Sequence, residues 1–207
     1  MSSGDDIVII NYRMGNLRSV QKAFESVGCS ATITNQPDII RRAKKIVLPG
    51  VGAFGDGIRN LREMGLDLIL EEQIIEKKCP FMGICLGMQL ICRKSYEFGE
   101  HDGLSWIDAE VVRFDVEQQG LKVPHVGWNT VNITAESLLF QGIPDMKDFY
   151  FVHSFHVKAK DDIVTSICKH GTTFVSSIQK ENIFAFQFHP EKSQVLGLSM
   201  IQNFIRL

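Results

Sequence analysis

Two short stretches, Gly83-Ile84-Cys85-Leu86-Gly87 and Phe188-His189-Pro190-Glu191-Lys192, supply a thiol, an imidazole and a carboxylate. Together these are the inventory of acyl transfer by a nucleophile, a base and a group that orients the base. Gly83 and Gly87 stand two residues to either side of Cys85. That is the spacing of a nucleophile elbow, a strand turning sharply into a helix, where larger side chains beside the turn would collide. Such a turn holds the nucleophile clear of the backbone at a helix N-terminus, where amide dipoles favour thiolate over thiol. Taken alone, the segment also fits a small core cysteine in a glycine-rich bend.

The second stretch supplies the base. Ile183-Phe184-Ala185-Phe186-Gln187-Phe188 alternates and is rich in aromatics, so it reads as a strand that delivers His189. Pro190 biases His189 toward an extended backbone. Side chains two apart on an extended chain point the same way, so Glu191 is expected to reach one imidazole nitrogen while the other faces Cys85. A lone His-x-Glu is more often an ordinary surface pair at a strand end. The elbow gives this one its chemical meaning.

The elements that would carry these groups alternate in period. Ile7-Val8-Ile9-Ile10 and Ile46-Val47-Leu48 are apolar runs of buried-strand length. Residues 17–27, 37–42 and 58–77 read as helices, the last broken near Gly65, and 31–34 as a short strand. Phe81-Met82 enters another buried strand, and Met88-Gln89-Leu90-Ile91 begins a helix. This alternation predicts an α/β fold with a largely parallel, doubly wound central sheet. After Gly103 the pattern changes to strands and turns over 109–114, 130–133, 149–152, 163–168 and 174–178, before 194–207 closes as a helix. Antiparallel additions to the same sheet fit this better than a second domain, so residues 1–207 are expected to form one.

Composition sets further bounds. The chain has 207 residues, enough for a sizeable core, and a formal charge of −2, which gives no sign of a nucleic-acid partner. No stretch is long and apolar enough for a membrane span, and the N-terminus lacks a signal-peptide pattern. Its five cysteines are odd in number and without Cys-x-x-Cys pairing, which favours a reducing compartment, the cytoplasm by default, and no zinc. Cys29, Cys79, Cys92 and Cys168 read as packing residues. His153 and His156 lie in a strand-like run with no third ligand apparent, so no metal is expected. The glycine-rich stretch 49–57 follows a strand but lacks the Gly-Lys-Ser/Thr ending of a phosphate loop.

Beyond the elbow stand Met14-Gly15-Asn16-Leu17, Leu48 through Gly55, Pro124-His125-Val126-Gly127-Trp128-Asn129, Phe151-Val152-His153-Ser154 and Gln187 through Ser193. On these segments the chain resembles the triad-type (class I) glutamine amidotransferases over essentially its whole length. The stretches at Pro49 and Pro124 resemble in particular the HisH branch, the glutaminase subunits of imidazole glycerol phosphate synthase. Arg13 departs from a glycine common in the branch, and Phe155 from a tyrosine frequent after His-Ser. Residues 173–182 are similar to HisH paralogues found with surface-polysaccharide genes, which feed ammonia to sugar-amidating enzymes.

The resemblance implies a triad of Cys85, His189 and Glu191, with the backbone amides of Val51 and Leu86 as oxyanion donors. It assigns L-glutamine recognition to Gly50, Gly52, Gln89, His153, Ser154 and Phe155, and it implies no cofactor. It further implies a heterodimer with a (β/α)8-barrel synthase subunit of HisF type, contacted by Pro124, His125, Trp128, Asn129 and Lys192. The barrel would combine ammonia with a phosphoribosyl intermediate of histidine biosynthesis; for the paralogues the acceptor is a sugar. Two other classes stand beside this reading: a scaffold that kept the fold without the chemistry, and a cysteine hydrolase on a related elbow.

Overall fold

The computed structural model describes residues 6–207. The first half runs β1 (Ile7–Ile10), α1 (Leu17–Ser26), β2 (Thr32–Thr34), α2 (Pro37–Arg42), β3 (Lys45–Gly50) and α3 (Phe54–Glu63). There follow α4 (Leu66–Glu71), which runs on into a wider π turn at Glu72–Glu76, then β4 (Phe81–Cys85) and α5 (Leu86–Leu90). The second half is mostly strand: β5 (Cys92–Ser95), β6 (His101–Asp102), β7 (Ile107–Arg113), β8 (His125–Ile133), β9 (Lys147–His153) and β10 (Phe155–Lys158). It ends with β11 (Val164–His170), β12 (Thr172–Lys180), β13 (Ile183–Phe186) and α6 (Gln194–Arg206).

Among the described residues the strands form one mixed sheet, with a main path β2-β1-β3-β4-β13-β12-β10-β7-β5-β6. The five strands from β2 to β13 are parallel, and β8, β9 and β11 extend the sheet antiparallel from β12. The expected parallel sheet with antiparallel additions is thus present, but the additions, eight strands that include one parallel pair (β5–β7), outnumber the five of the parallel part. Period-two burial explains the parallel strands: Val8, Ile10, Ile46, Leu48 and Phe81 enter one apolar layer, while Ile7, Ile9, Val47, Met82 and Ile84 enter the other. Helices α3 and α4 cover the first layer with Ile58, Leu61, Leu66 and Leu70, and α1 and α6 cover the second with Val20, Phe24, Met200, Ile201 and Phe204. Each such fully buried side chain contributes about 1.5–3 kcal/mol.

The pairing places the chemistry. Strand β13 returns parallel to β4 with Phe186 opposite Ile84, and β3 flanks the other edge with Gly50 opposite Cys85. The carboxyl ends of three adjacent strands therefore converge, which is where open parallel sheets hold ligands. Gly65 breaks the long helix as expected, at φ 63°. The helix begun at Met88 is shorter than its formers suggest. It stops at Leu90 because Cys92 is drawn into pairing with Ile107 of β7. Arg13, at the position where glycine is common, sits at φ 67° in the left-handed region, which accounts for the glycine elsewhere.

Gly87 is where the fold tolerates least. A Cβ there would lie 1.8 Å from the Leu48 carbonyl oxygen of β3, and backbone cannot yield as a side chain can. Gly87→Ala should therefore lower stability by about 3 kcal/mol in urea unfolding; an unchanged midpoint would contradict this packing.

Candidate active site

Cys85 ends β4 and opens α5 with φ 53° and ψ −104°, a conformation sparsely populated by non-glycine residues. The glycines beside it explain how the turn closes. A Cβ on Gly83 would meet the Gly87 carbonyl group at 3.1 Å, so strand and helix touch through bare backbone. The turn leaves the side chain mostly buried, at 5% exposure, with Sγ 3.6 Å from Gln187 Nε2 and 3.9 Å from the Val152 carbonyl oxygen.

His189 follows β13 with an extended backbone (φ −104°, ψ 96°), and its N–H donates to the Tyr150 carbonyl at 2.9 Å. Residues 190–192 then form a 3-10 turn instead of the extended chain expected. The contact with Glu191 survives this because the turn folds the carboxylate back: Oε1 lies 2.7 Å from His189 Nδ1. Helix α6 clamps the turn, since Gly197 packs where a Cβ would lie 1.9 Å from the Pro190 carbonyl oxygen. His189 Nε2 and Glu191 Oε2 are buried with no well-formed hydrogen bond among the described residues. Burial opposes a charge on the imidazole, but the adjoining Cys85 sulfur and then Glu191 outweigh it, and the ring's pKa is pushed up to about 10. The sulfur's influence alongside an unaligned Nε2 is the loose geometry that unliganded sites often hold.

Cys85 opens onto a cavity of about 250 Å³ lined also by Val51, Gly52, Leu86, Gln89, Pro124, His153, Ser154 and Phe155. Gly50 does not line it. That residue is buried at the end of β3, where a Cβ would strike the Tyr12 hydroxyl at 2.0 Å, so its expected contact with substrate is corrected to a supporting place beneath Val51. Gln89 is buried, and its Nε2 donates to both the Phe155 carbonyl and Gln187 Oε1, each at 3.0 Å. With both amide hydrogens so used, Gln89 has its own Oε1 left to accept from a ligand.

Two residues of the site escaped the sequence reading. Glu97 lines the cavity as its one carboxylate among the described residues, and accepts from the Phe54 N–H at the start of α3 at 2.6 Å. Burial raises its pKa against that bond and the nearby His101. No motif surrounds it, so only the fold could find it. Gln187 is fully buried beside the nucleophile; its signal was a polar side chain in an otherwise apolar strand. A larger groove of about 750 Å³ lies on the far side of Glu97 but contains no nucleophile.

The residues expected at a partner surface divide. Pro124 and Lys192 are exposed, Asn129 is half-buried, and Trp128 is 47% exposed. Trp128 meets the Tyr150 ring edge-on at 6.1 Å, and Lys192 Nζ stands 5.5 Å over the same ring. His125 faces inward at 5% exposure, so its side chain is corrected from surface contact to interior. His156 is likewise buried, and among the described residues no group of three or more His, Cys, Asp or Glu is placed to hold a metal ion.

A cysteine on an elbow, facing a histidine–glutamate pair at the carboxyl ends of a parallel sheet, defines a thiol acyl-transfer fold. The chain belongs to the class I glutamine amidotransferases, whose family model matches residues 8–207. Within that family it is of HisH type: imidazole glycerol phosphate synthase subunit HisH 1 of Campylobacter jejuni (strain RM1221) is 50% identical over 201 residues, spanning 97% of this chain and 100% of that protein. HisH of Syntrophotalea carbinolica is 48% identical over 96% of this chain and 98% of its own, and HisH of Aquifex aeolicus 47% over 96% and 95%. Two solved structures share the fold at 16% identity: a glutamine amidotransferase (TM-score 0.73, covering 96% of this chain and 97% of that one) and Thermotoga maritima PurLQS (TM-score 0.74, 97% of each).

The raised His189 fixes a sign for the pH dependence of stability. A folded pKa of about 10 against an ordinary 6.5 means the protonated ring contributes stability fully present below about pH 6.5 and lost as pH rises through about 10. Glu191→Gln removes one raising partner, so in urea unfolding followed across this range the loss should be smaller and complete at a lower pH. A variant that loses stability over the same range as the parent chain would contradict the coupling.

Proposed function

We propose that Cys85, His189 and Glu191 hydrolyse L-glutamine to glutamate and ammonia, and that the chain is the glutaminase subunit of an imidazole glycerol phosphate synthase acting in the cytoplasm. What carries the reading is the buried His189–Glu191 pair tuned by the sulfur of Cys85, which itself opens onto a cavity with one carboxylate among the described residues. Full-length identity of 50% to a HisH subunit supports the same chemistry.

The Cys85 thiolate attacks the carboxamide carbon of glutamine, and the carbonyl electrons move onto oxygen. The amides of Val51 and Leu86, both at the cavity, receive that oxyanion; one such donor is worth roughly 10²–10³ in rate. Protonated His189 gives its Nε2 proton to the leaving nitrogen, so ammonia departs and a γ-glutamyl thioester remains. His189 next takes a proton from water, whose oxygen attacks the thioester, and glutamate leaves as the thiolate and imidazolium re-form. Glu191 holds the ring by Nδ1 throughout. Glu97 pairs the α-ammonium of the substrate, which desolvation obliges something to do, and the Gln89 oxygen and the backbone of residues 153–155 complete the cradle.

Ammonia released into water is protonated and lost, so a synthase must cover the cavity. Exposed Val126 and Trp128, with Tyr150 and Lys192 beside them, offer an aromatic anchor next to the triad for a (β/α)8-barrel subunit of HisF type in a heterodimer. The acceptor in that reading is the phosphoribosyl intermediate of histidine biosynthesis. One observation favours a second acceptor: relatives named HisH 1 and HisH 2 indicate organisms with more than one such subunit, and a paralogue would serve a sugar-amidating enzyme.

Cys85→Ala should abolish glutamine-dependent turnover of the complex and leave ammonia-dependent turnover intact; residual glutamine hydrolysis would defeat the assignment. Glu97→Gln should raise KM for glutamine about 10- to 100-fold with a smaller effect on kcat, as loss of a charged hydrogen-bond partner predicts. For the acceptor, the gene should restore growth without histidine to a strain lacking its own amidotransferase subunit; failure there with active glutaminase would favour the sugar pathway.

A further inference from the structure

Behind the cavity wall, Asn129, His125 and His153 form a hydrogen-bonded file. Asn129 Nδ2 lies 3.0 Å from His125 Nε2, His125 Nδ1 lies 3.0 Å from His153 Nε2, and His153 Nδ1 lies 2.7 Å from the Phe155 carbonyl oxygen. The proton positions follow from the inner end. A carbonyl only accepts, so His153 carries its proton on Nδ1. A neutral imidazole has one N–H, so His153 Nε2 accepts, His125 Nδ1 donates and His125 Nε2 accepts in turn. Asn129 must then present its NH₂ group. The outer end independently requires the same: Asn129 Nδ2 donates to the Lys169 carbonyl at 2.9 Å, while its Oδ1 accepts from the Thr130 N–H at 2.8 Å. Both ends impose one polarity.

The file continues to the nucleophile. Gln89 Nε2 donates to the same Phe155 carbonyl and to Gln187 Oε1, and Gln187 Nε2 donates to Cys85 Sγ at 3.6 Å. We propose that Asn129, His125 and His153 are positioning residues for the glutaminase reaction, a proposal that rests on the function given above: they fix the Phe155 carbonyl, and through Gln89 and Gln187 the sulfur of Cys85. Strand β8, which exposes Val126 and Trp128 on its outer side, is thereby tied to the reacting atom.

The surroundings suit such a role. His125 faces His153 on β9 and is stacked on His170 of β11 at 4.3 Å, with Phe114, Phe151 and Phe174 closing the pocket and His156 of β10 across the Phe114 ring. None of these groups is negative. Burial pushes His125 down to about 4 and holds His153 well below the ordinary histidine range, so both stay neutral with one proton each.

Long-range ¹⁵N–¹H NMR of the whole chain should show His125 and His153 as Nδ1–H tautomers, unchanged from about pH 8 to about 5.5. An Nε2–H tautomer at either would overturn the file. In the synthase complex, Asn129→Asp places an acceptor where the file needs a donor. His125 can then donate to His153 only as an imidazolium. The variant's kcat relative to the parent should be down about 10- to 100-fold near pH 8 and recover as pH falls toward about 6, with KM little changed. A ratio flat with pH would overturn the proposal, because a merely structural defect has no reason to reverse on acidification. Lack of glutaminase activity in the parent complex would strike the function beneath, while the tautomers would still decide the file.

Discussion

A strand and a helix touch at Cys85 with no room for a Cβ on either side, and everything chemical in this chain follows from that contact. Gly83 and Gly87 let the backbone of α5 lie against β3 and β4, which forces Cys85 to a positive φ. The strain is held because β4 is central, with β3 and β13 on its flanks. Those same neighbours bring the other groups: β3 ends opposite Cys85 and leads into Val51 and Gly52, and β13 leads into His189. One steric constraint therefore fixes the Cys85 sulfur, residues 51–52 and the His189 ring relative to one another.

Electrostatics then separates two kinds of buried histidine. Desolvation disfavours the imidazolium of every one of them. At His189 the sulfur of Cys85 and the Glu191 carboxylate outweigh it and push the ring up to about 10. At His125 the facing groups are aromatic rings and other histidines, burial goes unopposed, and the ring falls to about 4. The same side chain is thus held charged in one place and neutral in the other. Neighbours decide which, burial being similar at 2% and 5% exposure.

The sequence made the parallel half of the fold and the elbow at Cys85 legible because both rest on local rules. Ile7 through Ile10 could be little else than a strand buried on both faces, and the Gly83–Gly87 spacing carries its own steric reason. Pairing across the chain was harder to see. The stop of α5 at Leu90 is imposed by β7, and the 190–192 turn is held by Gly197 of α6, neither being local. Glu97 enters the cavity only because its carboxylate is fastened to the start of α3, 43 positions away. His125 looked like part of a surface motif because neighbours on a strand alternate sides, and periodicity alone does not say which side faces inward.

The most direct test of a single nucleophile activated within a glutamine cavity is labelling with a chloroketone analogue of glutamine, mapped by mass spectrometry. Burial holds the Cys79 and Cys168 thiols up at about 11 and about 12, and raises Cys29 and Cys92 as well, so these should stay unreactive near neutral pH. The expected result is one adduct on Cys85, suppressed by excess glutamine and slowed by His189→Ala. Labelling spread over the other cysteines, or indifferent to glutamine, would contradict the account.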